Sequence, residues 1–328
     1  MRRALPSLLE AIPVILTKVR VLVALFAVAL TGCSGHGPQS GLGLPVPVET
    51  LNRLPAGVFY LLAGRQNIYS ANIWEVTPAG REVQLTHNRV GLGVSWFSAS
   101  PAGIVMADAS NGADELAKLT AHGPQWLPVG QAREPEIGGQ APAIDPSGQI
   151  TYVVPPANYG PAHNYYAVWV APSFLERGRI LYKQRDTLVG EAFGPYGQIA
   201  VMNRPYSPPL RGRRAHLLMI SPDGKTKIVN TPFWSLAEVI WQPNAVALAV
   251  ASVAHRTELI FPSGRRQMLP RGWLPLSWSP RGSRLLVQHG RLLGLWSAGA
   301  PNRVAVLGET SRQFAVLNVD WLASRAPL

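Results

Sequence analysis

The sequence has a single cysteine, at position 33 of 328 residues, and few acidic residues: 18 against 30 lysines and arginines. One thiol excludes an intrachain disulfide and any zinc site built from cysteines. Linear catalytic motifs are also missing, because no G-x-S-x-G, H-E-x-x-H, P-loop or D-x-D-x-D pattern occurs. The seven histidines are scattered through different local settings. We therefore expect no enzyme activity, no catalytic residue, no metal site and no cofactor.

The apolar run at the N-terminus, residues 21–30, is too short to span a bilayer comfortably. Four basic residues precede it, which is the charge order of a secretory leader: Arg2, Arg3, Lys18 and Arg20. The run ends in Leu30, Thr31, Gly32 and Cys33, and this ending resembles the lipobox of bacterial lipoproteins. A transmembrane anchor with an incidental cysteine is the alternative interpretation.

The lipobox resemblance implies that residues 1–32 are a signal peptide and that Cys33 becomes the first mature residue, carrying the lipid. The protein would then lie outside the cytoplasm, attached to a membrane through Cys33. In a Gram-negative cell, Ser34 after the cysteine would favour the outer membrane, facing the periplasm. Residues 33–54 are rich in Gly, Pro and Ser with little charge, so we predict a flexible tether.

From residue 55 the chain repeats a short pattern of turns. With 31 glycines and 30 prolines, the composition is typical of an all-β protein. Turn prolines that open a predicted strand recur every 37 to 49 residues, at Pro55, Pro101, Pro146, Pro195, Pro243 and Pro280. A period of this length is expected when each unit is one four-stranded blade of a β-propeller. The count predicts six blades.

Within each unit, an aromatic or apolar residue precedes the turn: Trp96, Ile144, Phe193, Trp241 and Trp278, with Trp321 near the C-terminus. A second strand then ends in a Gly hairpin, as in 72–80, 216–224, 257–264 and 293–299. A third short strand follows, as in 83–86, 116–120 and 304–307. This order resembles the WD-like repeats of TolB-type β-propellers. The resemblance implies a six-bladed propeller over residues 55–322, with a tail at 323–328.

The two ends of the repeat region complement each other. Residues 314–321 form a stop strand with no turn and strand after it, whereas residues 58–63 form a strand with no clear stop strand before it. We predict that the C-terminal strand pairs with the N-terminal one to complete a shared blade, which removes exposed sheet edges. A self-contained sixth blade is the alternative.

Most tryptophans share one phase of the repeat, which indicates that they form core between blades rather than a sugar-binding surface.

Two predicted insertions carry the candidate binding residues. Tyr159, His163 and Tyr165 lie outside that phase, in an insertion between two strands of the third unit. A loop of Tyr, Asn and His suits adaptable polar contacts, although a solvated loop has the same composition.

Positive charge is concentrated in one part of the chain. Residues 201–312 contain 15 basic and 4 acidic side chains, whereas residues 55–200 contain 9 basic and 11 acidic side chains. On a ring of blades this makes one sector electropositive. The second insertion lies there, with Arg204, Tyr206, Arg211, Arg213 and Arg214. Arginine suits phosphate and carboxylate groups, but the same residues also fit a solvated basic surface.

Three functions are compatible with these features. The first is a lipid-anchored scaffold that binds proteins of the cell envelope, as the resemblance to TolB-type propellers implies. The second is a module that recognises an anionic envelope polymer or lipid head group through the basic sector. The third is a hydrolase or lyase in the central channel, which would require a convergent cluster of carboxylates or histidines. We expect no nucleic-acid partner, because the leader directs the protein out of the cytoplasm. The first hypothesis is the one we favour.

Overall fold

A computed structural model describes residues 54–64, 67–87, 93–108, 115–126, 140–154, 165–176, 178–194, 197–204, 215–243, 248–252, 254–310, 312, 314–323 and 326. The predicted signal peptide, Cys33 and nearly all of the predicted tether lie outside these residues. Regular structure in the described part consists of 24 β-strands. No helix in this part is long and apolar enough to cross a membrane.

The strands form six four-stranded antiparallel sheets, each one blade. Blade 1 contains β1 (Val58–Gly64), β2 (Asn67–Val76), β3 (Glu82–Gln84) and the last strand, β24 (Phe314–Trp321). Blade 2 contains β4 (Val94–Ser100), β5 (Gly103–Asp108), β6 (Glu115–Thr120) and β7 (Gly123–Trp126). Blade 3 contains β8 (Gln140–Ile144), β9 (Ile150–Val154), β10 (Tyr166–Ala171) and β11 (Arg179–Gln184).

The other three blades repeat this order along the chain. Blade 4 contains β12 (Thr187–Phe193), β13 (Ile199–Arg204), β14 (His216–Ile220) and β15 (Thr226–Asn230). Blade 5 contains β16 (Leu236–Trp241), β17 (Leu248–Ser252), β18 (Arg256–Ile260) and β19 (Arg266–Met268). Blade 6 contains β20 (Leu274–Trp278), β21 (Arg284–His289), β22 (Leu292–Ser297) and β23 (Val304–Glu309).

The first strands of successive blades contact one another in a closed circle: β4, β8, β12, β16, β20, β24 and again β4. These are therefore the inner strands, and the fourth strand of each blade lies at the outer rim. The predicted fold class, an all-β propeller of six four-stranded blades, is confirmed.

The hydrophobic core is divided into six clusters, one at each boundary between neighbouring blades. Between blades 5 and 6, for example, Trp278 and Trp296 pack edge to face with ring centroids 6.3 Å apart. Trp241 contacts the cluster between blades 4 and 5, and Trp321 the cluster between blades 6 and 1. The prediction that these tryptophans belong to the core between blades agrees with their packing, because burial of both faces of each sheet holds the ring together.

In blades 2 to 6 the first turn joins the inner strand to its neighbour, as the Pro-x-Gly spacing predicts. In blade 1 the corresponding turn precedes β1 and bonds to the end of β24. Gly57 has φ +79° and Gly282 φ +67°, backbone values that are strained for residues with a Cβ. Proline presets φ earlier in the same turn, so the two residues together fix a tight reversal. The described parts of these turns lie on one face of the ring, which we call the turn face.

The closure of the ring is confirmed. Strand β24 pairs antiparallel with β1, with Trp321 opposite Val58 and Phe314 opposite Gly64. Beyond the strand, the Leu322 N–H donates to the Gly57 carbonyl at 2.9 Å. Blade 1 is thus built from both ends of the propeller, and the last strand also covers the edge of β1.

Two details of the sequence interpretation are wrong, both in blade 2. Residues 116–120 were grouped with 83–86 and 304–307, but those two segments belong to the rim strands β3 and β23, whereas 116–120 form β6, and β7 follows at the rim. Trp96 is also out of phase: it pairs with Ala107, whereas Ala99 occupies the position equivalent to Trp278, opposite the start of the second strand.

Candidate functional site: the central cavity

A cavity of about 580 Å³ lies at the centre of the ring, toward the turn face. All six inner strands contribute to its wall, and prolines of the first turns surround it: Pro101, Pro146, Pro243 and Pro280. A volume of this size is typical of sites that bind small molecules or the tip of a larger partner. The cavity follows directly from six-fold closure, because the inner strands are too far apart to fill the axis with side chains.

Asp320, near the end of β24, is the first charged residue on this wall. Its Oδ2 accepts a hydrogen bond from the Ala99 N–H of the neighbouring blade at 2.7 Å. Burial raises the pKa of this carboxyl to about 7, and the hydrogen bond from Ala99 only partly offsets the effect. Asp320 therefore changes its charge near neutral pH.

Glu238, in β16, is the second charged residue on the cavity wall. Burial raises its pKa to about 8, the Val239 N–H lowers it in part, and the negative charge of Asp320 raises it further. Both residues are half-buried and line the same cavity, so the ionisation of one opposes that of the other.

Asp145, the third acidic residue on the wall, has a structural role. Its Oδ1 accepts hydrogen bonds from the Ser147 N–H at 2.8 Å, the Ser147 hydroxyl at 2.7 Å and the Gln149 N–H at 2.9 Å. These contacts close the first turn of blade 3. Asp145 contributes negative charge to the cavity, but its oxygens are largely occupied by the turn.

The ionisable groups of the wall are all acidic. Among the described residues that line the cavity there are three carboxyl groups and no lysine, arginine or histidine. The whole chain has a formal net charge of +12 at pH 7. Once Glu238 and Asp320 lose their protons, the interior of the ring therefore has the opposite sign to the protein as a whole, and low-dielectric walls strengthen such a local field.

Two residues that line the cavity each have a polar atom that is buried away from solvent and has no hydrogen-bond partner among the described residues, the Trp278 Nε1 and the Gln242 Oε1. The equivalent nitrogen of Trp241 donates to the Ala192 carbonyl at 3.1 Å, and that of Trp321 donates to the Ala56 carbonyl at 3.2 Å. Buried polar groups are normally paired, so the absence of a partner at Trp278 is a departure within one repeated position.

Most residues proposed from the sequence lie outside the described residues: Tyr159, His163, Tyr206, Arg211, Arg213 and Arg214, and also Leu30, Thr31, Gly32 and Cys33. Tyr165 precedes β10, and Lys183 of β11 lies over its ring at 5.0 Å from the centroid. Arg204 is the last residue of β13, paired with Thr187.

The strand ends that flank both predicted insertions lie on the face opposite the turn face. A chain of side chains connects blades 3 and 4 there: the Tyr182 hydroxyl donates to Gln184 Oε1 at 3.0 Å, and Gln184 Nε2 donates to Asn203 Oδ1 at 3.0 Å. Asn203 Nδ2 then contacts His216 Nε2 at 2.6 Å. The network anchors the bases of the two insertions in neighbouring blades, separate from the cavity.

Exposed basic residues cover blades 4 to 6, in agreement with the charge distribution of the sequence. They include Lys225, Lys227, Arg265, Arg271, Arg281, Arg284 and Arg303. Arg266 is held differently, by an ion pair to the buried Glu258 at 2.9 Å and a hydrogen bond to the Asn230 carbonyl at 2.7 Å.

Sequence reasoning missed Glu238 and Asp320. Both lie in inner strands, within three residues of a repeat tryptophan, where most positions are apolar. A charged residue in such a strand would have indicated the channel wall. Glu238 and Asp320 do not share one phase of the repeat, so a search for acidic residues that recur at equal phase does not find them.

Comparison with known proteins gives a structural relationship only. No protein-family model matches the sequence, and no curated protein matches it. TolB from Acinetobacter baumannii superimposes with a TM-score of 0.59 and 13% sequence identity, over 80% of this chain and 66% of TolB. A protein from Lactobacillus plantarum superimposes with a TM-score of 0.48 and 9% sequence identity, over 77% of this chain and 82% of that protein. This chain spans 66% of the length of TolB and has the same fold, a six-bladed β-propeller.

Proposed function

We propose that this protein is a lipid-anchored β-propeller of the cell envelope that binds protein partners and catalyses no reaction. Cys33 would attach it to the membrane, outside the cytoplasm, with residues 33–54 as the tether. The central cavity at the turn face would be the binding site. The cavity carries the proposal, since it is a large concave surface formed by all six blades.

The composition of the wall favours binding over catalysis. Aromatic residues and prolines, which provide large contact area at low conformational cost, surround the cavity: Trp96, Phe193, Trp241, Trp278, Pro146 and Pro243. Glu238 and Asp320 meet part of what a hydrolase would require. However, no histidine is among the described lining residues, and the described chain has no group of three His, Cys, Asp or Glu residues that could hold a metal ion.

Site-specific photocrosslinking in intact cells tests the proposal. A photoreactive amino acid is placed at Pro146 or Pro243, both exposed residues on the cavity wall. Matched control positions are Val83 and Val306, exposed residues of outer strands that are 39% and 54% accessible. We expect Pro146 and Pro243 to capture the same discrete set of envelope proteins and the controls to capture none of them. Equal capture from the outer strands, or no capture from the cavity, would contradict the proposal.

The basic sector supports a second candidate, recognition of an anionic polymer or lipid head group. The exposed lysines and arginines of blades 4 to 6 are the supporting observation, together with the arginines of the second insertion. Binding of this kind depends on charge and falls as salt rises. Replacing Arg211, Arg213 and Arg214 with Ala should weaken binding to anionic vesicles and reduce its salt dependence. Unchanged binding and salt dependence would remove this candidate.

A further inference from the structure

We propose that the central cavity binds a positively charged nitrogen, an ammonium or guanidinium group attached to an apolar body. This inference rests on the proposed function and names the chemical group that the cavity selects. The group could belong to a free organic amine or to a lysine or arginine of a protein partner.

The charge of the wall is the first argument. Glu238 projects from blade 5 and Asp320 from blade 1, and Asp145 adds a third negative charge from blade 3. No basic residue among the described lining residues neutralises them. Carboxylates held together without a counter-ion repel each other, so a cation between them is stabilised by each. The same carboxylates would repel an anion, although the basic outer surface of the protein attracts anions.

The apolar part of the wall is the second argument. Tryptophan and phenylalanine rings surround the carboxylates, together with the aliphatic side chains of Ile144, Ile240 and Leu276. Such a wall favours an organic cation over a strongly hydrated metal ion, because ring faces and apolar carbons contribute little to a hydrated ion but attract an ammonium group on a carbon chain.

Protonation of the cavity should then control binding. The titratable groups on its wall are Asp145, Glu238 and Asp320, from β8, β16 and β24 and the turns that follow them. Because the pKa values of Asp320 and Glu238 are raised to about 7 and about 8, both carboxyls are largely neutral at pH 6 and ionised at pH 9. An alkylamine remains charged throughout this range. Its affinity should therefore rise between pH 6 and pH 9.

Calorimetric titration of the purified full-length protein tests the inference without a known partner. The probes are hexylamine, its neutral isostere hexanol, and N-acetyl-lysine N-methylamide as a model for a protein lysine. We expect both amines to bind at pH 9 and to bind about tenfold more weakly at pH 6. Hexanol should bind at least about tenfold more weakly than hexylamine at pH 9. Tighter binding of the lysine model than of hexylamine would assign the cation to a protein partner, and the reverse order to a free amine.

Variants locate the site. Asp320→Asn keeps an oxygen to accept from the Ala99 N–H, and Glu238→Gln keeps the side-chain size. Each should weaken amine binding at pH 9 by about tenfold or more, whereas Glu309→Gln, which removes a carboxylate from the outer strand β23, should leave it unchanged. If a variant fails to fold, carboxyl NMR titration of the wild-type protein replaces it. Hexylamine should then lower the titration midpoints of Asp320 and Glu238.

Equal binding of hexanol and hexylamine, no effect of either variant, or binding of calcium without binding of amines would overturn the inference. These failures are distinguishable from failure of the proposed function. Crosslinks from Pro146 and Pro243 would persist if a partner bound the cavity by another chemistry, and amine binding would persist if no partner protein existed.

Discussion

Asp320 joins the two most important features of this molecule, because it belongs to the closing strand and also lines the cavity. Its carboxyl group accepts a hydrogen bond from the Ala99 N–H, and burial raises its pKa to about 7. In the unfolded chain an aspartate has a pKa near 4, so the unfolded state releases its proton first as the pH rises. Asp320 therefore contributes stability that is complete below about pH 4 and is lost as the pH rises to about 7.

We predict that Asp320→Asn reduces this dependence on pH. The free energy of unfolding of the variant should equal that of the wild type near pH 4 and exceed it by about 1–3 kcal/mol at pH 8, because the neutral amide has no charge to desolvate. Denaturant unfolding at pH 4, 6 and 8 measures the difference. Glu309→Gln is the control, since Glu309 is an exposed partner of Arg291 and should change stability by less than about 1 kcal/mol at every pH. A difference between Asp320→Asn and wild type that stays constant with pH would contradict the prediction.

At the scale of elements, the contact between β24 and the first turn of blade 1 closes the ring. Gly57 has φ +79°, and a Cβ built there would lie 2.3 Å from the Leu322 carbonyl oxygen. That oxygen belongs to the backbone, so it can move only if the end of β24 moves. Gly80, in the outer hairpin of the same blade, has φ +72° but nothing within 4 Å of an added Cβ.

The two glycines provide a matched pair for testing closure. Gly80→Ala should lower the free energy of unfolding by about 1 kcal/mol, the cost of the left-handed backbone for a residue with a Cβ. Gly57→Ala adds the clash with β24 to the same backbone cost and should lower it by about 3 kcal/mol or more. Hydrogen exchange at β1 and β24 should also become faster in Gly57→Ala alone. Equal destabilisation by the two changes would show that closure does not depend on this contact.

The elements also show how far the sequence alone could lead. Blade number, the first turns and the closing strand were predictable, because Pro and Gly have strong local preferences and the repeat presents each preference several times. Blade 2 was misread where those signals fade: Ala99 replaces the repeat tryptophan, and Trp96 three residues earlier appeared to fill its place.

The cavity could not be predicted in the same way. Glu238 and Asp320 are separated by about a quarter of the chain and lie in blades 5 and 1, so only closure of the ring brings them to one wall. Their positions relative to the repeat tryptophans also differ, three residues before Trp241 and one before Trp321. A search for a recurring phase therefore fails, whereas a search for any charge in an inner strand would have succeeded.

At the scale of the whole molecule, charge is divided between a basic outer surface and an acidic cavity. The basic residues of blades 4 to 6 repel one another, although some have carboxylate partners, such as Arg266 with Glu258 and Arg291 with Glu309. A large net charge destabilises the compact state through this repulsion. Dissolved salt screens it over a distance of about 10 Å at 0.1 M, comparable to the spacing of exposed side chains.

We therefore predict that the thermal unfolding midpoint rises by a few degrees between 0.02 and 0.3 M sodium chloride at pH 7. The combined change of Arg271, Arg284 and Arg303 to Gln should raise the midpoint at low salt and reduce the gain from salt. All three side chains are exposed and belong to blades 5 and 6 or to the turns between their strands. Circular dichroism melts provide the measurement, with sucrose at equal osmolality as the control for excluded-solute effects. If the midpoint instead fell with salt, attractive ion pairs would outweigh repulsion, and the electropositive sector would be compensated at the surface rather than available to an anionic partner.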